Sequence, residues 1–392
     1  MSVVHGLCRL FNSGDDVDVV AVALRKARAT PGVEVALSLF QAAAIRSVHE
    51  GRGKVEMASF VLECIRRAVF DPFEGTMTLT FGEVAESHVG MQMIGEKGDR
   101  GFSVTDLVEA SEFFTQRGFE TKLLHLNKFL PKVENVDASE VGALQEAMED
   151  DHRQAYVLVV RDGLKCLTGD SKGHNLLTEM LMFDWDTKMY NGNRKEKQVM
   201  DKLARHNLNF SESKQSSDFA VGKGTTIPWR EVPLLEELRN TLETAFGDAA
   251  QKLKCEGNKY YAKDTGINRH GDTERRKVIG VRLGQPMRLH YTWFYNRRPR
   301  GLDMSITLDE GDIYCMSEKA VGTDWKDAPM KQYTLRHAAG ADKYTINSDT
   351  VKVRNRRPWE GDPETVTIGD LWFRQIKGKH EKVRSDPVMM PN

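Results

Sequence analysis

The sequence after residue 259 is dominated by short runs rich in Tyr, Val, Ile, Thr and Trp, which Gly, Pro and Asn interrupt at regular intervals. β-Branched and aromatic residues favour extended strands, and closely spaced turn residues favour reversals between antiparallel neighbours. The predicted strands are residues 277–283, 289–295, 304–308, 312–316, 333–338 and 350–354. This pattern is typical of an antiparallel barrel or a jelly roll, the double-stranded β-helix.

The N-terminal half has a different pattern, and 392 residues exceed the size of one ordinary core. Apolar residues at helical spacing predict that the first 70 residues are helical. Strands are then predicted at 77–81, 121–126 and 156–160, and helices at 104–116 and 139–149. We therefore predict an α+β fold with two parts: a helical, then mixed α/β module over residues 1–170, and a double-stranded β-helix domain over residues 171–392. The second part begins with a polar loop region at 186–228 and a helix at 234–246.

Charge and cysteine content favour an intracellular, soluble protein. The formal net charge is -1, but residues 251–392 carry roughly eight more positive than negative charges, which suggests an anionic partner for that half. The five cysteines are widely spaced and form no CxxC pair, so neither a disulfide framework nor a structural zinc site is indicated. Acidic residues occupy the position of a signal-peptide apolar run, and no stretch is long enough to span a bilayer.

The tripeptide His270-Gly271-Asp272 precedes the predicted strand at 277–283. On an extended segment, residues i and i+2 project to the same side, so one imidazole and one carboxylate can bind a single metal ion. A further histidine would complete a two-histidine, one-carboxylate triad, which occupies one face of an octahedral Fe(II) and leaves three positions open. Spacing of this kind arises by chance in many sequences, so its meaning depends on the surrounding motifs.

Two further motifs provide that context. Asn258-Lys259-Tyr260 stands just before the metal motif, and Gly311-Asp312-Ile313-Tyr314 follows in the predicted strands. This combination resembles the AlkB-like branch of the 2-oxoglutarate- and Fe(II)-dependent oxygenase superfamily, over the C-terminal half of the chain. The resemblance implies that His270 and Asp272 bind iron, that Asn258 and Tyr260 help to bind 2-oxoglutarate, and that O2 is the co-substrate.

The third metal ligand has two candidates. His337 lies in YTLRHAAG, beyond the Gly311-Asp312 turn, and is favoured because it follows the chain order of the superfamily. His290 lies closer to His270, beside Tyr291 and Trp293, and is favoured as a substrate-lining residue. The interval before His337 contains a charged stretch interpreted as an inserted loop. If Trp325-Lys326-Asp327 instead matches the distal motif, Asp327 stands at the histidine position.

The distal carboxylate of 2-oxoglutarate needs a cation, because a guanidinium can bind a carboxylate through two parallel hydrogen bonds. We expect this cation on a strand after the distal histidine. Arg354 is the preferred candidate, with Lys343 and Arg336 as reserves.

The substrate prediction depends on three basic clusters: Arg275-Arg276-Lys277, Arg297-Arg298-Arg300 and Arg354-Arg356-Arg357. Aromatic residues are interleaved with them, a combination that suits phosphates and an unstacked base. The predicted substrate-binding residues are His290, Trp293, Arg275 and Arg298, and a single-stranded or methylated nucleic acid is the first substrate class. Protein side-chain or small-molecule hydroxylation is the second, and a non-catalytic binding or assembly protein is the third hypothesis. The sequence leaves the oligomeric state open.

Overall fold

The computed structural model describes residues 73–345 except 89, 192–197 and 327–330, the strands at 365–368 and 371–375, and four separate residues, Val20, Leu24, Ala44 and Val61. The predicted helical region before residue 70, apart from these four residues, and the predicted strand at 350–354 lie outside this part of the chain. The described residues form a mixed α/β fold with several antiparallel sheets.

The strands are β1 (Thr76–Gly82), β2 (Val84–Glu86), β3 (Met93–Gly95), β4 (Thr121–His125), β5 (Tyr156–Val160), β6 (Lys188–Asn191), β7 (Gln198–Asp201), β8 (His206–Ser211), β9 (Thr226–Pro228), β10 (Lys254–Tyr260), β11 (Gly266–His270), β12 (Val278–Gly284), β13 (Met287–Tyr295), β14 (Arg298–Leu308), β15 (Ile313–Met316), β16 (Tyr333–Gly340), β17 (Thr365–Ile368) and β18 (Leu371–Gln375). The helices are α1 (Val104–Thr115), α2 (Ala138–Glu149), α3 (Gly163–Thr168), α4 (His174–Leu181), α5 (Pro233–Phe246), α6 (Glu318–Val321) and α7 (Asp342–Thr345). Strands β6 to β9 lie in the region predicted as loops.

Two large sheets carry the fold. The larger has the strand order β4-β5-β15-β12-β1-β10-β8-β9, and the smaller has the order β11-β16-β13-β14-β18-β17. All pairs in these sheets are antiparallel except β8 with β9. The pairs β2–β3 and β6–β7 form separate short ribbons.

Strand β1 occupies the middle of the larger sheet, between β10 and β12. It comes from the part of the chain that the sequence analysis assigned to a separate N-terminal module. β4 and β5 extend the same sheet through β15. The sheet therefore runs across the predicted boundary at residue 170, and residues 73–170 are built into the same core as the later strands.

Alternation along the strands separates the two faces of the larger sheet. Odd-numbered residues of β1 and β12, such as Leu79 and Val281, are buried in a core with α1, α4 and α5. A second core contains residues of both sheets, including Val278, Leu289 and Tyr314. Even-numbered residues of β1, β10 and β12 face away from the helices and line a cavity.

Helix α5 is fixed to α4 by the buried carboxyl group of Glu179, which accepts hydrogen bonds from the backbone N–H groups of Leu234 and Leu235 (2.9 and 3.0 Å). These N–H groups belong to the first turn of α5, where no carbonyl of the same helix can accept from them. Within the described residues, no helix has both the length and the apolar character needed to cross a membrane.

Candidate metal centre

A cavity of about 510 Å³ lies between the two sheets. Its wall on the larger sheet includes a row of directly opposed residues, Asn258 on β10, Thr78 on β1 and Arg282 on β12. Opposed residues of antiparallel strands share a face, so all three side chains point into the cavity. The smaller sheet contributes His270 at the end of β11, and His337 and Ala339 on β16.

His270, Asp272 and His337 converge at this cavity. One potential ligand atom from each lies within 4.8 Å of those of the other two. The Nε2 atoms of His270 and His337 lie 3.4 and 3.6 Å from Oδ1 of Asp272. Atoms bound to one ion at about 2.1 Å are themselves about 3.0 to 3.4 Å apart, so a small contraction would let all three bind the same metal. The residues thus fit a divalent transition metal.

Gly271 allows His270 and Asp272 to take this arrangement. A Cβ atom at this position would lie 2.0 Å from the carbonyl oxygen of Gly322 and 2.6 Å from Cδ1 of Trp325. The backbone N–H of Asp272 donates to the carbonyl of Val321, at 3.1 Å. The motif is therefore packed directly against the end of α6, and only glycine fits between His270 and Asp272.

The charge of Asp272 is stabilised by its neighbours. Burial would raise the pKa of this carboxyl, but the Arg275 guanidinium, 3.4 Å away, and the two histidines outweigh it, and the pKa lies well below its usual range. Arg275 also binds Glu256 and Glu274, at 2.6 and 2.8 Å. The buried Arg275 thus holds the Asp272 carboxylate in its ionised form.

Both histidines can present a lone pair to a metal. The Nδ1–H of His270 donates to the Asn268 carbonyl, at 2.7 Å, and this leaves Nε2 of the neutral ring as the acceptor. Such a second hydrogen bond fixes the tautomer of a metal-binding histidine. Burial, reinforced by His270, lowers the pKa of His337 to about 3. His337 is consequently neutral at physiological pH.

His290 occupies a different face of the smaller sheet. It is opposite Ala338 on β16, whereas its neighbour Tyr291 is opposite His337. Because successive residues of a strand point to opposite sides, His290 points away from the face that carries His337. It is not among the cavity-lining residues. Asp327, the other alternative for the distal position, lies outside the described residues.

Of the other predicted substrate residues, one lines the cavity. Arg275 does so, although its guanidinium is occupied by the carboxylates described above. Trp293 is buried in the second core and its Nε1–H donates to the Leu126 carbonyl, at 2.8 Å. Arg298 is exposed at the start of β14. Neither Trp293 nor Arg298 lines the cavity. The alternation of residues along a strand shows which residues share a face, but it does not show which face holds the site.

Of the three residues predicted to bind 2-oxoglutarate, the structure describes two, and both lie at the cavity. Asn258 and Tyr260 line the cavity, and the Oδ1 atom of Asn258 accepts hydrogen bonds from Arg205 and Asn207 (2.6 and 2.8 Å). Burial raises the pKa of Tyr260, which is therefore a neutral phenol. Arg354 lies outside the described residues.

The two reserve cations have other partners. Lys343 is exposed and binds Asp264 at 2.7 Å, and Arg336 lies over the Phe294 ring, 4.0 Å from its centroid. Neither of these side chains lines the cavity.

Sequence reasoning gave no site role to Thr78, Arg205, Arg282 or Tyr314, which all line the cavity. Thr78 was assigned to a separate module, and the polar 201–205 segment looked like a loop. Arg282 had a usable signal: it interrupts the apolar run of β12 at an even position, in phase with Val278 and Gly280. Tyr314 lies over Gly280, where a Cβ would lie 2.1 Å from its ring.

The sequence is similar to that of a viral protein. Uncharacterized protein R156 of Acanthamoeba polyphaga mimivirus is 40% identical to this chain over 270 residues, which cover 69% of this chain and 97% of the relative. No protein-family model matches the sequence.

Proposed function

We propose that this chain, which belongs to the same family as the uncharacterized mimivirus protein R156, is an Fe(II)- and 2-oxoglutarate-dependent oxygenase. The observation that carries the proposal is the convergence of His270, Asp272 and His337 at the wall of a cavity that Asn258 and Tyr260 also line. Two imidazoles and one carboxylate are the donor set of non-haem Fe(II) oxygenases, and they leave coordination positions free for substrates.

The path of the chain supports a double-stranded β-helix for this domain. From β10 to β16, successive strands belong to the larger, smaller, larger, smaller, smaller, larger and smaller sheets. In a jelly roll the chain crosses repeatedly between two facing sheets in this way. The N-terminal β1 completes the larger sheet between β10 and β12.

The protein's residues would hold and shield the reacting centre. When bound, Fe(II), 2-oxoglutarate and O2 supply the oxidation that hydroxylates a C–H bond, or removes a methyl group when that carbon is bound to nitrogen. His270 and His337 provide neutral nitrogen donors and Asp272 provides the anionic oxygen. Arg275 orients Asp272, and the enclosing sheets keep bulk water from the metal face.

Nucleic acid is the first substrate class that we propose. Trp325 and Tyr344 supply aromatic rings at the cavity wall, and the half-buried Arg205 and the exposed Lys326 supply positive charge there. Rings of this kind stack bases, and such cations attract phosphates. The first predicted basic cluster has less positive charge available for phosphates, because Arg275 and Arg276 form ion pairs with Glu256 and Glu318.

A substrate bearing an amine, such as a protein side chain or a small molecule, is the second class. Glu86 and Glu274 line the same cavity, and carboxylates there repel a phosphate chain while they attract a cation. Burial and the neighbouring Glu274 raise the pKa of Glu86 to about 7. This carboxyl would therefore become a stronger cation acceptor above neutral pH.

The oxygenase proposal is tested on the full chain without oxygen. Fe(II) followed by 2-oxoglutarate should produce a weak visible charge-transfer band, which His270→Ala should abolish. The matched control is His152→Ala, since His152 is exposed and does not line the cavity. Absence of the band in the unaltered protein, or its persistence in His270→Ala, contradicts the proposal and favours a non-catalytic binding protein.

The substrate class is tested by succinate release in air. A single-stranded methylated oligonucleotide should stimulate release, and its binding should weaken steeply with salt. Stimulation by methylated peptides or amines, with no salt-dependent oligonucleotide binding, would favour the second class instead.

A further inference from the structure

Arg282 is a buried cation whose charge is not matched by a carboxylate in the described part of the chain. Its side chain is 1% exposed, and it lines the same cavity as Asp272 and His337. One terminal nitrogen, Nη1, donates to the Thr78 hydroxyl at 2.7 Å and approaches Sδ of Met287 at 3.5 Å. Its Nε–H has no hydrogen-bond partner among the described atoms.

Such a group is costly unless an anion accompanies it. Transfer of an unpaired guanidinium from water to a protein interior costs several kcal/mol, and buried charges are normally paired. Burial lowers the pKa of Arg282, and the charge of the nearby Asp312 carboxylate only partly offsets this. The free hydrogen-bonding capacity and the unmatched charge both suit a bound carboxylate.

The other cavity-lining cations among the described residues are already engaged or lie at the opening. Arg275 is bound to Glu256 and Glu274, and Arg269 is bound to Asp303. Lys326 is exposed. Arg205 is half-buried and donates to Asn258. Arg282 is the most deeply buried cation without a carboxylate partner in this set.

The position of Arg282 also matches the residues expected to bind 2-oxoglutarate. It lies in the row formed with Thr78 and Asn258 across three adjacent strands. β1 lies between β10 and β12 in the sheet. The residue opposite Asn258 is therefore Thr78 on β1, and the residue opposite Thr78 on the next strand, β12, is Arg282. A hydroxyl and a guanidinium pointing into one space can together bind both oxygens of a carboxylate.

We propose that Arg282, assisted by the Thr78 hydroxyl, binds the distal carboxylate of 2-oxoglutarate and makes the cavity selective for 2-oxo acids that carry a second carboxylate. The inference rests on the proposed oxygenase function and assigns to Arg282 the role predicted for Arg354. It makes Arg282 a specificity-determining residue, whose loss should affect the choice of acid more than metal binding.

The test compares two acids of equal chain length, 2-oxoglutarate and 2-oxopentanoate, which has a methyl group in place of the distal carboxylate. Each is titrated without oxygen into the Fe(II)-loaded full chain, and the charge-transfer band reports binding. The unaltered protein should prefer 2-oxoglutarate by at least about 30-fold, the effect of losing one partner of a buried charge pair. Arg282→Met should bind both acids with similar, weak affinity and retain Fe(II).

Stability supplies a second measurement. Removal of an unmatched buried charge by an apolar side chain of similar length should not lower the midpoint of thermal unfolding without ligand. The rise in midpoint that 2-oxoglutarate causes in the unaltered protein should be lost in Arg282→Met. If Arg282→Met does not fold, Arg282→Lys decides instead: a reduced preference supports the assignment and an unchanged one overturns it.

Other outcomes separate this inference from the proposed function. A preference for 2-oxoglutarate that persists in Arg282→Met, or that disappears in Arg354→Met or Arg205→Met instead, overturns the role of Arg282 but leaves the oxygenase intact. Fe(II) binding with no affinity for either acid in the unaltered protein rejects both.

Discussion

His270 on β11 and His337 on β16 are direct partners in an antiparallel strand pair, and their ring centroids lie 4.4 Å apart. The spacing of the two imidazole rings is therefore set by the pairing of the two strands and does not depend on a bound metal. Sites held by the strands of a sheet keep their geometry better than sites held by loops. We expect the apoprotein to bind a divalent metal without refolding.

Replacement of His337 should remove a ligand, and replacement of His290 should not. His337→Ala is expected to weaken Fe(II) or Co(II) binding by at least about 100-fold, more than the loss of an outer-shell partner usually costs. His290→Ala should lower the midpoint of thermal unfolding, because the side chain is fully buried, but leave metal affinity unchanged. Equilibrium dialysis of both variants checks this, and the reverse ranking would assign the third ligand to His290.

Gly271→Ala should damage the metal centre through its backbone. The added Cβ must displace the Gly322 carbonyl or the Asp272 loop, so we expect metal affinity to fall about 10-fold or more, with a loss of stability. Gly142→Ala is the matched control: nothing lies within 4 Å of its Cβ in helix α2, and alanine should stabilise the protein by about 0.5–1 kcal/mol. Equal metal affinity in the two variants would contradict the close packing around Gly271.

Stability should depend on the ionisation of Glu179. Burial, opposed by the two backbone N–H groups of α5, raises its pKa from 4.5 to about 8. The folded protein therefore binds this proton more tightly than the unfolded chain does. The resulting contribution to the free energy of unfolding is fully present below about pH 4.5 and is lost as pH rises through about 8. Urea unfolding between pH 5 and 8 should therefore show a falling free energy of unfolding, with a shallower fall in Glu179→Gln. Identical slopes would show that other groups cause the fall.

Trp293 should act on stability and not on substrate. Trp293→Phe removes the hydrogen bond to the Leu126 carbonyl and should cost about 1 kcal/mol or somewhat more, because the carbonyl stays buried. Substrate affinity should not change, since the ring does not line the cavity. A selective loss of substrate binding with normal stability would restore the role that its sequence position suggested.

A fragment of residues 171–392 should not fold on its own. Without β1, strands β10 and β12 lose their common neighbour, and the larger sheet is left with two unpaired edges in its middle. We expect weak near-ultraviolet circular dichroism and no cooperative thermal transition. A cooperative transition in this fragment would support the two-part organisation that the sequence suggested.

Local patterns predicted many of the elements. The strand Tyr156–Val160 is confirmed residue for residue, and the helix predicted at 234–246 is Pro233–Phe246. The strand β8 was missed because Asn207 and Asn209 alternate with the buried Leu208 and Phe210, so the run looked polar. The two asparagines are themselves buried, and their side chains donate hydrogen bonds to Asn258 and Ser87 (2.8 Å each). A strand whose second face is buried through polar contacts of this kind is hidden from any hydrophobicity pattern.

The parts of the fold and the site that depend on pairing between distant strands could not be predicted from the sequence. His270 and Asp272 are neighbours in sequence and stood out, and His337 followed from chain order. The row of Asn258, Thr78 and Arg282 joins three distant segments, and no local pattern specifies which strand lies between β10 and β12. The convergence of His270, Asp272 and His337 could therefore be anticipated from spacing and chain order, and the row that contains Arg282 could not.

The central position of β1 has a consequence for synthesis on the ribosome. Residues of β1 and their partners on β10 are roughly 170 to 180 positions apart, so at about 5–20 residues per second β1 emerges roughly 10 to 35 seconds before it can pair. During this interval a strand with one apolar face and two open edges is exposed to other nascent chains. Slow translation between β1 and β10 should therefore increase aggregation, and holdase chaperones should associate with this chain early and leave when β12 emerges.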